Sequence, residues 1–124
     1  LVSERVAILG ASDNPARYAF RALDLLTRHG HDVVLVNPQL TSVAGRPCVA
    51  RLEDIDGAID TITVYLRNEL SEPLADAMVA VKPRRVIFNP GSESPALKQA
   101  LEAARIRVQW ECTLVLLNSG RFED

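Results

Sequence analysis

The chain is poor in the residues that redox and metal chemistry rely on. It has two cysteines and two histidines among 124 residues. Cys48 and Cys112 are too far apart for a Cys-x-x-Cys pair or a zinc-ligand spacing, so two buried, reduced thiols are expected. Long apolar runs are also missing. No stretch reads as a bilayer span, and the first residues lack the basic-then-apolar order of a secretory leader. A cytoplasmic location is therefore the plain expectation, although the chain starts at Leu1 rather than Met and an upstream leader stays open. Fourteen basic against sixteen acidic residues give a formal charge of -2, so no positive excess points to nucleic acid or an anionic membrane. No Gly-Lys-Ser or Gly-Lys-Thr occurs, which removes a P-loop.

What remains is ordinary globular material, 48% hydrophobic and 24% charged, long enough for one domain over residues 1–124. Strands and helices alternate along it. Arg5 to Leu9 reads as a first strand, followed by a helix opening near Pro15 with an apolar stripe at Ala16, Ala19, Phe20, Leu23 and Leu26, stopped by Gly30. Asp32 to Val36 reads as a second strand ending at Asn37-Pro38. Gln39 to Ile55 has no long period: Gly45-Arg46-Pro47 marks a turn, and Leu52 to Ile55 suits one helical turn. Thr61 to Leu66 is a β-branched third strand, and Leu70, Leu74, Ala77, Met78 and Val81 form a helical stripe capped by Ser71. Arg85 to Phe88 is a fourth strand, turning through Asn89-Pro90-Gly91-Ser92 into a helix capped by Ser94 and opened by Pro95. Ile106 to Trp110 is a fifth, and the apolar tail Thr113 to Leu117 suits a short helix, a strand or a partner contact.

The alternation predicts an α/β, doubly wound, Rossmann-like fold. Its parallel five-stranded sheet carries helices on both faces, a three-layer sandwich. Ligands of such sheets collect at the carboxyl ends of the strands. The groups predicted there are Gly10, Ala11, Ser12, Asn14 and Pro15 after the first strand, then Asn37 and Pro38. Tyr65 and Arg67 follow the third strand, and Asn89, Pro90 and Gly91 the fourth.

Small residues running into a helix N-terminus suit a phosphate, because the backbone can approach closely and offers unpaired amides. Arg17 is placed to reach such a phosphate and Tyr18 to line the crevice; Arg21 and Arg46 are weaker candidates. The same loop has a plainer reading, a structural turn into a capped helix. A nicotinamide dinucleotide fits poorly, since only Gly10 of the Gly-x-Gly-x-x-Gly pattern is present and Asn37 stands where an acid would grip the ribose. General acid–base machinery is hard to assemble: His29 and His31 fall at the opposite edge as helix-end and surface residues, and Asp60 lies there too. Trp110 is expected to cover the core.

Val-Ala-Ile-Leu-Gly-Ala-Ser at 6–12 with Asn14-Pro15, Val-Asn-Pro at 36–38, Gly45 with Leu-Glu-Asp-Ile at 52–55, Val-Tyr-Leu-Arg at 64–67, and Cys112 together carry a resemblance. In order and spacing they resemble the small single-domain CoA-binding proteins, similar to the CoA-binding domain of succinyl-CoA synthetase and of ADP-forming acyl-CoA synthetases. The resemblance implies coenzyme A, or an acyl-CoA, as the ligand. Its pyrophosphate would lie on Gly10 to Ser12 and the helix start, and its adenosine near Asn37-Pro38 and Tyr65 to Arg67. It also implies no reaction by this chain alone. The expected function is thus binding of CoA without catalysis, by a monomer or a homodimer. An NAD- or nucleotide-dependent enzyme and a ligand-free interaction protein are the alternatives.

Overall fold

The computed structural model describes residues 3–123. All five predicted strands are present, but the sheet has seven, in the order β3-β4-β2-β1-β5-β6-β7. β1 is Arg5–Leu9, β2 Asp32–Val36, β5 Thr61–Val64, β6 Arg85–Phe88 and β7 Arg107–Trp110. These run parallel to their neighbours, with Val6 beside Val33 on one side and Thr61 on the other. The two added strands, β3 (Ser42–Val43) and β4 (Arg46–Val49), correct the five-stranded expectation: they form a hairpin within the segment that showed no period. β4 joins β2 in parallel while β3 and β4 are antiparallel, so the sheet is mixed. Ala44 and Gly45 both take positive φ, 51° and 77°, which is the two-residue turn a twisted hairpin wants. Two- and four-residue strands leave too little alternation to be read from a sequence.

The pleat sorts β1 between two cores. Val6 and Ile8 face the layer of α1 (Tyr18–Arg28) and α5 (Thr113–Asn118), with Leu23, Leu26, Leu116 and Leu117. Ala7 and Leu9 face the layer of α3 (Ala75–Val81) and α4 (Pro95–Ala103), with Met78, Leu97 and Leu101. The apolar tail is thus a helix folded onto its own sheet.

Several local expectations change. α1 opens at Tyr18 rather than near Pro15, because residues 12–17 are held in turns: Asn14 N donates to Ser12 Oγ at 3.1 Å and Ala16 N to Asn14 Oδ1 at 3.0 Å. Ser71 is no cap; it ends α2 (Asn68–Ser71) with its side chain buried, and a 3-10 turn at Glu72–Leu74 leads into α3. Ser94 does cap α4, accepting from Leu97 N at 3.1 Å. Arg46 does not lean toward the crevice, since its guanidinium donates to Thr27 Oγ1 at 3.3 Å on the last turn of α1. Trp110 is half exposed beneath the Lys98 ammonium, a covering position. His31 is buried, 6% exposed, not a surface residue. Cys48 and Cys112 are free and half-buried.

Candidate functional site

At the carboxyl edge a cleft of about 450 Å³ opens where the chain leaves β1 toward β2 on one side and β5 flanks it on the other. That is the switch point of a doubly wound sheet. Its floor begins at Gly10. There φ is +93°, and a Cβ would sit 2.9 Å from Leu66 Cδ2 and 3.2 Å from the Tyr65 backbone carbon, so only glycine leaves β1 this way.

The amides of Gly10 and Ala11 both donate to Val36 O, at 3.0 and 3.1 Å, and are used in closing the loop onto β2. Among the described residues the amides of Ser12 and Asp13 have no such partner, nor do those of Tyr18 and Ala19 in the first turn of α1. All four residues line the cleft. Unpaired amides beside the positive end of an eleven-residue helix favour an anion. Arg17, exposed at the N-cap, adds a full charge. Arg67 stands across the cleft, 3.9 Å from Glu69 Oε2, with both side chains largely in solvent and the pair correspondingly weak. Tyr18 is 65% exposed at the rim with the Arg21 guanidinium 5.5 Å from its ring centroid.

Asn37 lines the cleft with its side chain tied to the protein at both ends. Nδ2 donates to Ala11 O at 2.7 Å and Oδ1 accepts from Gln39 N at 2.8 Å, tying the two loops together. Asn89 is committed more completely. It is buried; Nδ2 donates to Thr63 Oγ1 at 2.7 Å and Val64 O at 2.9 Å, and Oδ1 accepts from Thr113 N at 2.9 Å. Ser92 N closes the turn on Asn89 O at 2.9 Å, with Pro90 and Gly91 (φ +93°) at the two positions that a type II turn reserves for them. Tyr65 lends its body to the wall while its hydroxyl is buried without a hydrogen-bond partner. Burial pushes that phenol well above its ordinary range, and the hydroxyls of Thr113 and Thr63 soften the shift without replacing their own 2.8 Å bond.

Of the residues expected at the site, the cleft gathers Gly10, Ala11, Ser12, Arg17, Tyr18, Asn37, Tyr65, Arg67, Asn89, Pro90 and Gly91. Asn14, Pro15 and Pro38 do not line it; Asn14 and Pro15 shape the turn before α1. The lining also includes Asp13, Ala19, Gln39, Leu40, Leu66 and Ser92. Asp13 and Ser92 lie inside motifs the sequence singles out, whereas Gln39 and Leu40 begin the segment without a period. Among the described residues no group of three or more His, Cys, Asp or Glu side chains converges as a metal site.

The family model described as the CoA binding domain matches residues 4–118, from the residue before β1 to the end of α5. The chain belongs to that family. A CoA-type ligand is what this domain takes. A crystal structure of an uncharacterized protein superposes with a TM-score of 0.92 at 34% identity, covering 98% of this chain and 100% of that one. The uncharacterized protein YneT of Bacillus subtilis is 34% identical over 67 residues, 54% of this chain; the match spans half of YneT. The dinucleotide-forming acetyl-coenzyme A synthetase 1 of Ca. Korarchaeum cryptofilum, solved with phosphate and ADP, shares the fold. Its TM-score is 0.75 at 17% identity, over 87% of this chain and 25% of that one. No helix among the described residues is long and apolar enough to cross a membrane.

Proposed function

We propose that this CoA-binding domain holds the pyrophosphate of coenzyme A, or of an acyl-CoA, at the turn between β1 and α1, as a binding protein and not a catalyst. The observation that carries this reading is the set of four unpartnered amides, at Ser12, Asp13, Tyr18 and Ala19, beside Arg17. They offer fixed donors with no reorganisation on binding, which is what a diphosphate rewards. Gly10, Ala11 and Ser12 keep the approach free of bulk, while Tyr18 lines the rim and Arg67, across the cleft at the adenosine side, is placed to meet a phosphate from there. Asn37, Asn89, Pro90 and Gly91 set the cleft's shape, and Asn14, Pro15 and Pro38 set the loops from behind. A nicotinamide dinucleotide is disfavoured because the end of β2 carries the Asn37 amide, bonded to Ala11 and Gln39, where a carboxylate would grip a ribose diol.

Half-buried free thiols suit a reducing cytoplasm. A homodimer would use the open edge of β7 rather than the tail, whose Leu116 and Leu117 are already buried in the chain's own core. Calorimetric titration with CoA, acetyl-CoA, NAD and ADP tests the reading. Saturable binding of CoA or acetyl-CoA, at least tenfold tighter than NAD, is the expected result. Equal affinity for NAD would overturn it.

A further inference from the structure

Far from the cleft, at the amino edge of the sheet, two helix ends deliver two rings to one place. α1 stops in a Schellman turn, with His31 N bonded to Leu26 O at 3.0 Å and Gly30 N to Thr27 O at 3.0 Å. α5 stops the same way, with Arg121 N on Leu116 O at 2.9 Å and Gly120 N on Leu117 O at 3.3 Å. The residue after Gly30 is His31, and the second after Gly120 is Phe122. Their ring centroids are 5.0 Å apart, both rings are buried, and the Arg85 guanidinium covers Phe122 at 4.4 Å.

The histidine is held in one protonation state by geometry. Nδ1 accepts the Glu4 backbone N–H at 3.0 Å, so the neutral ring carries its proton on Nε2, which is buried without a partner among the described residues. A second proton on Nδ1 would set N–H against N–H. We propose that His31 is an acid-sensitive latch: its protonation expels the ring from the amino edge and releases the segment 120–123 that Phe122 anchors there.

The charged groups facing the ring come from every side. Glu4, ahead of β1, and Glu123, beyond Phe122, favour the proton; His29 on the end of α1 and Arg85 on β6 oppose it. Burial outweighs them all and pulls the His31 pKa below its ordinary 6.5. The sign follows. Above pH 6.5 the ring is neutral folded or released; as pH falls below 6.5 the released state takes a proton that the docked state refuses, and docking weakens until the docked pKa is reached.

Incorporating 4-fluorophenylalanine gives three fluorine signals, from Phe20, Phe88 and Phe122, with Phe122→Leu identifying the third. Between pH 7.5 and 5 the Phe122 signal is expected to move toward the solvent-exposed position, with its midpoint below 6.5 and the other two unchanged. In His31→Asn, whose Oδ1 can still accept the Glu4 N–H and cannot be protonated, the signal should stay put; in His29→Asn it should move as in the parent. The same signal in the parent, followed beside the His31 ring nitrogens, provides a reading should His31→Asn fold poorly. A Phe122 signal that is flat while His31 titrates, or that moves only together with Phe20 and Phe88, overturns the latch. So does an unchanged titration in His31→Asn.

Discussion

Thr61 and Thr63, two residues apart on β5, point to the same face of the sheet and hold together opposite ends of the molecule. At the amino edge, Thr61 Oγ1 donates to Glu4 Oε1 and accepts from Arg85 Nε at 2.9 Å. Arg85 completes its pairing with Glu4 Oε2 at 3.0 Å and Gln109 Oε1 at 2.9 Å. At the carboxyl edge, Thr63 accepts from Asn89 and shares a hydrogen bond with Thr113. The first network is charged and closed at its centre, each Arg85 nitrogen finding an acceptor, while Glu4 Oε2 also meets the largely exposed Arg84 guanidinium at 3.0 Å. The second is neutral and supports a surface where four amides have no partner. The same kind of side chain thus serves stability at one end and the shape of the proposed anion site at the other. The difference lies in what the neighbouring strand ends supply: Glu4 and Arg85 at the start of their strands, glycines and asparagines where strands stop.

Breaking the closed end has the largest expected effect. Glu4→Ala leaves a buried guanidinium with only neutral partners, and the loss is about 3–5 kcal/mol. Burial already lowers the Arg85 pKa, with the Glu4 carboxylate the main group opposing it. A drop in melting temperature on the order of 10 °C, with CoA affinity unchanged well below the transition, is the expected pair of results. The double variant Glu4→Leu with Arg85→Met removes both charges and should recover most of the loss. A double variant as unstable as Glu4→Ala would show that the network is needed for shape rather than for charge pairing.

Asn89→Ala tests the other threonine and mixes the two roles. It strands the Thr113 N–H at the head of α5 and unpins the turn that lines the cleft, costing about 2–3 kcal/mol. Unlike Glu4→Ala it should also weaken CoA binding, by about tenfold, through a side chain whose donors and acceptor are all turned into the protein. Denaturant melts and calorimetry on the same sample separate the two losses. Unchanged affinity would mean that the turn keeps its shape without the asparagine.

How much of this was legible in the sequence differs between the two ends. The carboxyl edge announced itself, because glycine and proline punctuation has local causes: Gly10, Asn37-Pro38 and Asn89-Pro90-Gly91 each fix a turn by their own backbone chemistry. The start of α1 is not legible, since Pro15 is equally at home in the turns of residues 12–17 that precede the helix. The amino edge was silent. Nothing local to Glu4, Thr61 or Arg85 distinguishes them from solvated residues, because their pairing spans 57 and 81 residues of chain. His31 read as a surface residue for the same reason, its neighbour Phe122 being brought in by α5. The β3–β4 hairpin was hidden by its brevity, although Ala44-Gly45 marks its turn.

The smallest effect on the fold, and the cleanest on function, belongs to the exposed cations. Arg17 is solvent-facing, and Arg67 has only a weak, screened contact with Glu69, so alanine at either should change stability by less than about 0.5 kcal/mol. Each should nonetheless weaken CoA binding by about tenfold, the worth of one charge-assisted hydrogen bond to a phosphate. Salt sharpens the distinction. Charge contacts at a surface fade with ionic strength whereas fixed amides respond less, so the gap between parent and Arg17→Ala should narrow as salt rises toward 1 M. Residual binding at high salt would then report the amides of Ser12, Asp13, Tyr18 and Ala19. If Arg17→Ala and Arg67→Ala bind CoA as the parent does at low salt, the phosphates do not sit between them and the β1–α1 turn loses its claim to the ligand.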